Sequence, residues 1–351
     1  MKSILKIGVL VTLASLGFLT IKADASVGTE GIDSQVWEKP FNEISQVACH
    51  NCYERQYWDQ NFSTVLNEVK TVELDFWDLS NDTGLFAEKT PGYWYVRHNG
   101  HTKNHNNCSA GAGLDLEGCL KRVKVWSDNH PGHFPITIIL DKKQGWSKSS
   151  SRRTPTDLDA MLSTTLGDKI YTPNDLKQFG VAKLRSRESP LASVATNSNL
   201  RVVVQFAGWP TAEELKGKII LILNAAWNED LEKYIRDTTS STRKVFVGPA
   251  TDARGDIKLR PSGMSNSASA EVVVQNISSL QLGGSLETLV CLSKRRNKLT
   301  RVWSEEDKSF RELHRIGVNL AAYKDFKRQR AWKNGYIFPS TKKCSARPRT
   351  L

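Results

Sequence analysis

The sequence predicts an α/β fold: a single, regular or distorted (β/α)8 barrel of the TIM type with long loops at its C-terminal face. Short apolar runs with β character alternate with segments of helical periodicity, which is typical of a mostly parallel sheet. There are eight such runs, the number of strands that closes a barrel. They cover residues 44–48, 70–76, 93–97, 135–140, 218–223, 244–247, 271–275 and 316–321. The length of 351 residues also fits one barrel of this kind.

The segments between these runs carry apolar residues at helical spacing. They cover residues 62–69, 114–126, 158–166, 213–216, 231–237 and 310–316. The clearest strand is Pro135 to Leu140, because it is apolar almost throughout, as strands buried on both faces are. One more run with β character, Arg201 to Phe206, does not fit the eightfold count and is interpreted as an extra strand. The polar stretch 142–156 is predicted to be a long loop over one face.

The N-terminus has the organisation of a secretory signal peptide. Basic residues precede and enter an apolar run from Ile4 to Ile21, and Ala23-Asp24-Ala25 is a small-x-small cleavage signal. We therefore predict a signal peptide over residues 1–25 and a barrel domain over residues 26–351. An uncleaved membrane anchor is the rival interpretation, and polar residues within the run disfavour it. We expect a secreted protein, extracellular or periplasmic, with no transmembrane segment in the mature chain.

The cysteines and the net charge indicate which covalent links and which partners to expect. All six cysteines lie beyond the predicted cleavage site, and an even number in an exported chain predicts disulfides without fixing their pairing. The simplest pairing is Cys49–Cys52, Cys108–Cys119 and Cys291–Cys344. The formal net charge of +12 would suit an anionic lipid, nucleic acid or acidic glycan. Because the basic residues are scattered, we interpret this charge as a solvated surface and expect no nucleic-acid partner.

Polar side chains gather at the C-terminal ends of the predicted strands, where barrel enzymes place their reacting groups. Glu73 and Asp75 are two residues apart, so on a strand they point to the same side. Two carboxylates in an apolar run repel each other unless a positive charge lies between them. Ca²⁺ prefers carboxylate and amide oxygens, and Asn51 and Asp141 provide more of them from other strand ends. We predict a Ca²⁺ site of these four residues, which lacks the Cys or His pairs of a zinc site.

Two histidines near the same strand ends, His50 and His98, are candidates for proton transfer, since histidine exchanges protons near neutral pH. His98 shares a His/Asn-rich loop with His101 and His105, which compete with it for the role. A phosphodiester substrate suits this set of groups. The cation and one histidine would neutralise charge at phosphorus, and the other histidine would protonate the leaving oxygen.

Four segments carry a resemblance to a known family. Cys49-His50-Asn51-Cys52-Tyr53 resembles the S-H-N-x-Y element, and Val72 to Asp78 the V-E-L-D-x-W-D element, of phosphatidylinositol-specific phospholipases C. Val96 to Thr102 is similar to their x-x-H-G-H-T element with one residue inserted. Val125 to Lys143 resembles the secreted, Ca²⁺-dependent branch of the family. The resemblance is specific over residues 44–146.

The resemblance implies Ca²⁺-dependent cleavage of phosphatidylinositol, or a related inositol phospholipid, to diacylglycerol and inositol phosphate through a cyclic inositol phosphate. It implies a phospholipid substrate at a membrane surface, and we expect a monomer. The implied site residues are the catalytic His50 and His98, the Ca²⁺ ligands Asn51, Glu73, Asp75 and Asp141, and the phosphate contact Lys143. Two positions depart from the family pattern. Asp141 stands where Glu is usual, and Leu223-Asn224 stands where eukaryotic relatives place a substrate-binding lysine.

Three alternatives remain open from the sequence. A glycerophosphodiester phosphodiesterase also uses a metal, a barrel and an E-x-D motif, but it opens with H-R-G and acts on soluble diesters. Cys49 and Cys52 form a C-x-x-C motif, so a disulfide oxidoreductase with a helix starting at Cys49 is a second alternative. The third is a lipid-binding module with an inactive site. The full set of His, Asn, Glu and Asp residues favours the phospholipase over all three.

Overall fold

A barrel of parallel strands lies at the centre of the protein. The computed structural model describes residues 32, 34–54, 62–78, 93–98, 106–109, 115–147, 152–251, 261–278, 286–303, 308–331 and 336–340. Its strands are β1 (Ile44–Cys49), β2 (Thr71–Trp77), β3 (Tyr95–Val96), β4 (Ile136–Lys142), β5 (Ile170–Tyr171), β6 (Ile219–Ala225), β7 (Phe246–Val247), β8 (Ala250–Thr251), β9 (Val274–Ser278), β10 (Leu299–Trp303), β11 (Leu320–Tyr323) and β12 (Ile337–Pro339).

The helices lie in the connections between these strands. They are α1 (Phe62–Glu68), α2 (Asp115–Asn129), α3 (Pro155–Leu166), α4 (Pro173–Ser186), α5 (Leu191–Asn197), α6 (Leu200–Ala207), α7 (Asn228–Asp237), α8 (Asn266–Ser269), α9 (Leu286–Arg295) and α10 (Phe310–Ile316). Within the described residues, no helix has the length and apolar character needed to cross a membrane. The start of α3 is set by its sequence, because Thr154 and Asp157 form a capping box and Pro155 takes the first helical position.

The barrel closes through the segment that contains β7 and β8. The parallel order runs from β6 through β4, β2, β1, β11 and β10 to β9, and β7 and β8 pair with β6 and β9 at the two ends of that order. Gly248, between β7 and β8, donates from its backbone N to Leu223 O at 2.8 Å. A Cβ at Gly248 would lie 2.9 Å from Cγ2 of Ile222, so a side chain would not fit at this point of the wall. Counting the β7–β8 segment once, the barrel has eight strands, and the predicted fold class is confirmed.

Two of the predicted strands differ from the structure, and one strand of the barrel was not predicted. The run 93–97 is not a barrel strand: β3 pairs antiparallel with β2, so its aromatic residues form a hairpin arm outside the parallel order. The eighth barrel strand is instead β10, which was not predicted because Arg301 interrupts its apolar pattern. The run 201–206 is not a strand but part of α6, where Asn199 caps the helix by accepting from Val202 N at 3.1 Å. Packing of its buried face outweighs the β preference of its valines.

The covalent links agree with the predicted local pairs. Disulfides join Cys49 to Cys52 and Cys108 to Cys119. The third predicted pair includes Cys344, which lies outside the described residues, as do the predicted signal peptide and the competing histidines His101 and His105.

A buried histidine at the turn before β4 makes stability depend on pH. His133 lies with Nε2 2.7 Å from Ser127 Oγ and Nδ1 2.7 Å from Phe134 O, so it is the Nδ1–H tautomer. Burial lowers its pKa from 6.5 to about 4. Because the folded-state pKa lies below the unfolded one, the stabilisation is complete above pH 6.5 and is lost as the pH falls towards 4.

We expect His133 alone to lower the free energy of unfolding by about 3 kcal/mol between pH 7 and pH 4. Urea unfolding of the wild type and of His133→Gln at a series of pH values measures the difference, since glutamine does not titrate. The matched control is His130→Gln, because His130 lies three residues away, is only half-buried and stacks on Trp126. An unchanged pH slope in His133→Gln would contradict this interpretation.

Candidate active site

The turn after β1 places His50 and Asn51 at the C-terminal end of the barrel. Cys49 ends β1, and its disulfide to Cys52 closes the turn over the two residues between them. Asn51 has φ 59°, in the left-handed region that asparagine tolerates better than most residues. Its side chain is fully buried. The crosslinked turn therefore directs an amide into the barrel at a fixed position.

Three carboxylates meet beside this turn. Glu73 and Asp75 lie on β2 and face the barrel interior, and Asp141 on β4 is the register partner of Asp75. One carboxylate oxygen from each lies within 4.8 Å of the others. Asn224, the register partner of Asp141 on β6, donates from Nδ2 to Asp141 Oδ1 at 2.9 Å. The structure thus brings the predicted acidic ligands together, and all three are buried.

Two cations balance this acidic cluster. The Nζ of Lys143 lies 3.0 Å from Asp75 Oδ2 and also pairs with Asp141. Arg301 on β10 reaches across the barrel, with Nη2 2.8 Å from Glu73 Oε1 and Nη1 2.9 Å from Asn276 Oδ1. Arg301 was not predicted as a site residue, because no local pattern indicates that β10 faces β2. Lys143, predicted as a phosphate contact, lies at the cluster and contacts its carboxylates.

The environment shifts the pKa values of these groups in different directions. Burial raises the pKa of Asp75 to about 6, against the lowering effect of Lys143. Burial also acts to raise the pKa of Glu73, but Arg301 and then His50 lower it below its usual value. Burial acts to lower the pKa of Lys143, and the carboxylates of Asp75 and Asp141 more than reverse this, so its pKa is raised. Lys143 is therefore charged at neutral pH.

The two predicted histidines contact different carboxylates of this cluster. His50 Nε2 lies 3.3 Å from Glu73 Oε2, and its side chain is 13% exposed. Burial lowers the pKa of His50 to about 4, so its imidazole is neutral at pH 7. His98 Nδ1 lies 3.1 Å from Asp75 Oδ2, and its side chain is 40% exposed. The hydrogen bond to Asp75 raises the pKa of His98. His50 is thus the inner histidine and His98 the outer one.

The donor set fits a hard divalent cation. Asn51 Oδ1 and Asp75 Oδ1 are buried and accept no hydrogen bond in the part of the chain that the structure describes. A buried oxygen that accepts no hydrogen bond is costly, and a cation would satisfy both. Carboxylate and amide oxygens are the ligands that Ca²⁺ prefers. Asn51, Glu73, Asp75 and Asp141 are therefore chemically suited to hold Ca²⁺.

The geometry does not support the disulfide oxidoreductase. Cys49 ends a strand instead of starting a helix, and Cys49 and Cys52 are 1% and 2% exposed. An accessible thiol at a helix N-terminus is what such an enzyme needs. The fold and the cluster together define a (β/α)8 barrel with an acidic, metal-competent site at the C-terminal ends of its strands.

Comparisons with known proteins agree with this class. A family model described as phosphoinositide phospholipase C, Ca²⁺-dependent, matches residues 101–271. A calcium-dependent phosphoinositol-specific phospholipase C from a Pseudomonas species is 40% identical, with 88% of this chain and 98% of that chain covered and a TM-score of 0.75. The same relative has been solved as a myoinositol complex. The search of curated proteins gave no match.

A Ca²⁺-dependent phosphatidylinositol-specific phospholipase C from Streptomyces antibioticus is 21% identical, with 86% of this chain and 99% of that chain covered and a TM-score of 0.66. At this identity the likeness supports the fold alone. The Pseudomonas relative is similar enough over nearly its whole length to decide the family. This chain belongs to the family of Ca²⁺-dependent phosphoinositide phospholipases C, as the motifs of residues 44–146 predicted.

Proposed function

We propose that this enzyme cleaves phosphatidylinositol, with Ca²⁺, to diacylglycerol and a cyclic inositol phosphate, which is the precursor of inositol phosphate. The main support is that two histidines contact one buried carboxylate cluster, His50 through Glu73 and His98 through Asp75. We propose that these two histidines exchange protons with a phosphodiester bound beside the cluster. Family membership supports the same substrate class.

In this proposal Asn51, Glu73, Asp75 and Asp141 hold the cation. Bound there, Ca²⁺ would supply positive charge to the phosphate and favour ionisation of the attacking inositol hydroxyl. Arg301 holds Glu73 and Asn224 holds Asp141, so both carboxylates have fixed orientations before Ca²⁺ binds. Such preorganisation lowers the cost of forming the charged transition state.

The protein's own groups would divide the proton transfers between them. The low pKa of His50 leaves it neutral, so it can stabilise charge on the phosphate or, as an alternative to a carboxylate of the cluster, accept the hydroxyl proton. Asp75 engages Nδ1 of His98, which leaves Nε2 to protonate the diacylglycerol oxygen. The raised pKa of His98 favours the protonated form that this role needs. Lys143, between Asp75 and Asp141, is placed to contact the phosphate.

We further propose that the enzyme acts as a secreted monomer at a membrane surface, after removal of residues 1–25 from the barrel domain 26–351. The disulfides Cys49–Cys52 and Cys108–Cys119 support an oxidising compartment. The membrane contact is supported by Trp227, which lies two residues beyond β6 at the edge of the barrel that carries the site. Its side chain is 58% exposed, and tryptophan is favoured at membrane interfaces.

Replacing Trp227 by alanine is expected to weaken binding to phospholipid vesicles about tenfold, because burying an aromatic side chain is worth a few kcal/mol at most. Sedimentation with phosphatidylinositol/phosphatidylcholine vesicles measures the change. Phe206→Ala is the matched control, since Phe206 is 47% exposed and lies on α6, which carries none of the predicted site residues. Equal vesicle binding by wild type and Trp227→Ala would remove Trp227 from the membrane contact.

Phosphorus NMR of the products tests the reaction itself. With Ca²⁺ and phosphatidylinositol vesicles we expect a cyclic inositol phosphate signal to appear first. In excess chelator we expect no turnover. A glycerophosphodiester phosphodiesterase would instead act on soluble diesters and give no cyclic product, so the same spectra separate the two functions.

A further inference from the structure

A buried ion pair joins the ends of β2 and β4 on the side of the sheet opposite the carboxylate cluster. Asp141 faces the barrel interior, so the next residue, Lys142, points to the other side. Lys142 is 0% exposed and its Nζ pairs with Asp78, the residue after β2. The Nζ also lies 5.5 Å from the ring centre of Phe76 and 4.7 Å from that of Trp146.

The segment after β4 is wrapped around this pair. The backbone N and Oγ of Ser147 donate to Asp78 Oδ2 at 3.0 and 2.8 Å. Lys142 Nζ donates to Gly145 O at 3.1 Å, and Asp78 N donates to Gln144 Oε1 at 3.1 Å. Both carboxylate oxygens of Asp78 are thus engaged. The pair therefore fixes the path of the chain immediately after Asp141.

A second anchor holds the far end of this segment. Trp146 Nε1 donates to Asp230 O at 2.9 Å, and the Trp146 ring stacks on Tyr234 at 6.2 Å. Both partners belong to α7. The segment after β4 is therefore tied to β2 on one side and to α7 on the other, and it has little freedom to shift.

We propose that Asp78 and Lys142 are positioning residues for the cation site. Asp75 and Asp141 stand on the same two strands that the pair joins, so the pair sets the distance between these carboxylates. The pair also fixes the position of the backbone at Lys143, whose side chain reaches both carboxylates. Here Lys143 N donates to Phe76 O at 3.0 Å. This inference rests on the proposed function, because Ca²⁺ is the ligand whose site is positioned.

The effect of this ion pair on Ca²⁺ binding can be measured separately from its effect on the stability of the fold. A buried pair contributes little net stability, because the cost of desolvating both charges offsets their attraction. Removing both charges together can therefore leave the fold intact. The double variant would lose the fixed geometry around the pair. Substitution of residues that orient metal ligands commonly weakens metal binding about 10–100-fold.

The experiment compares Ca²⁺ binding to the metal-free wild type and to the double variant Lys142→Met/Asp78→Asn by isothermal titration calorimetry. Asparagine keeps an oxygen for Ser147, so the loop retains its shape while both charges are removed. We expect Ca²⁺ to bind about tenfold more weakly, with a small change in melting temperature. The conservative Lys142→Arg variant should recover most of the Ca²⁺ affinity.

The control is a second ion pair, Arg243–Glu271, with atoms 3.3 Å apart, in which Arg243 is buried and Glu271 is 18% exposed. Its two residues precede β7 and β9, at the opposite edge of the barrel. Arg243→Met/Glu271→Gln should change the melting temperature about as little as the test variant does, and it should leave Ca²⁺ affinity unchanged. The proposal is overturned if Lys142→Met/Asp78→Asn binds Ca²⁺ as tightly as wild type, or if the control variant loses as much Ca²⁺ affinity as Lys142→Met/Asp78→Asn does.

If the double variant does not fold, the single Ser147→Ala variant, which removes one hydrogen bond to Asp78 Oδ2 and keeps both charges of the pair, is measured in the same way. Failure of the proposed function gives a different result, because the wild type itself would then bind no Ca²⁺ or leave phosphatidylinositol intact. An active, Ca²⁺-binding wild type with unaffected variants refutes the positioning role alone.

Discussion

Replacing Asp75 by asparagine is expected to lower kcat/KM on phosphatidylinositol about 1000-fold, because charge stabilisation by a bound metal is worth several kcal/mol. Asp75 is the carboxylate at the centre of the cluster: it pairs with Lys143 and His98, and its Oδ1 is buried without a hydrogen bond. Asparagine has the same shape but carries no charge. Calorimetric titration with Ca²⁺ measures the loss of Ca²⁺ affinity, and the rate of diacylglycerol release measures the loss of activity.

The metal-free Asp75→Asn protein should be at least as stable as wild type, because a buried charge has been removed. The control is Asp159→Asn. Asp159 is also a buried acid, hydrogen-bonded to Tyr234 at 2.6 Å, and burial raises its pKa to about 6, as for Asp75. Asp159→Asn should keep normal Ca²⁺ affinity. Wild-type activity in Asp75→Asn would remove this residue from the cation site.

Replacing His98 by alanine is expected to slow cleavage of phosphatidylinositol about 100–10,000-fold, the usual contribution of a general acid. The loss should depend on the leaving group. An inositol phosphate ester of p-nitrophenol releases a stable anion that needs no proton, so His98→Ala should cleave it within about tenfold of the wild-type rate. Stopped-flow release of nitrophenolate measures that rate.

The same pair of substrates separates the two histidines. His50→Ala should lose activity on both, because His50 lies 3.3 Å from Glu73 and acts at the phosphate or the attacking hydroxyl. Equal losses on both substrates in His98→Ala would show that His98 is not the acid that protonates the leaving oxygen. His130→Ala, which changes a histidine that follows α2 and stacks on Trp126, should behave like wild type.

The fold was predictable because the strands with the clearest sequence signals form the centre of the barrel. Residues of β4 and β6 are buried on both faces, and their continuous apolar runs predicted this. The predictions of strands were wrong where the side-chain pattern of a segment did not match its position in the barrel. The aromatic run 93–97 has strong β preference but forms only the short hairpin strand β3, and the strand that contains Arg301 was missed because its interior face is charged.

The site was predictable where its residues are close in sequence or follow strand ends. The two-residue spacing of Glu73 and Asp75, and the position of Asp141 after an apolar run, were sufficient to predict the cluster. The contact between Arg301 and Glu73 spans 228 residues and exists only because the barrel closes. Long-range polar contacts of this kind have no local signal, so Arg301 and Asn276 could not be assigned from the sequence.

The measurement that tests the central claim most directly is a crystal structure of the enzyme soaked with CaCl₂. The prediction is one Ca²⁺ at about 2.3–2.6 Å from oxygens of Asn51, Glu73, Asp75 and Asp141. Lys143 should withdraw from the carboxylates as the cation takes over their charge. A Ca²⁺ bound elsewhere, or none beside Asp75 at saturating concentration, would contradict the account.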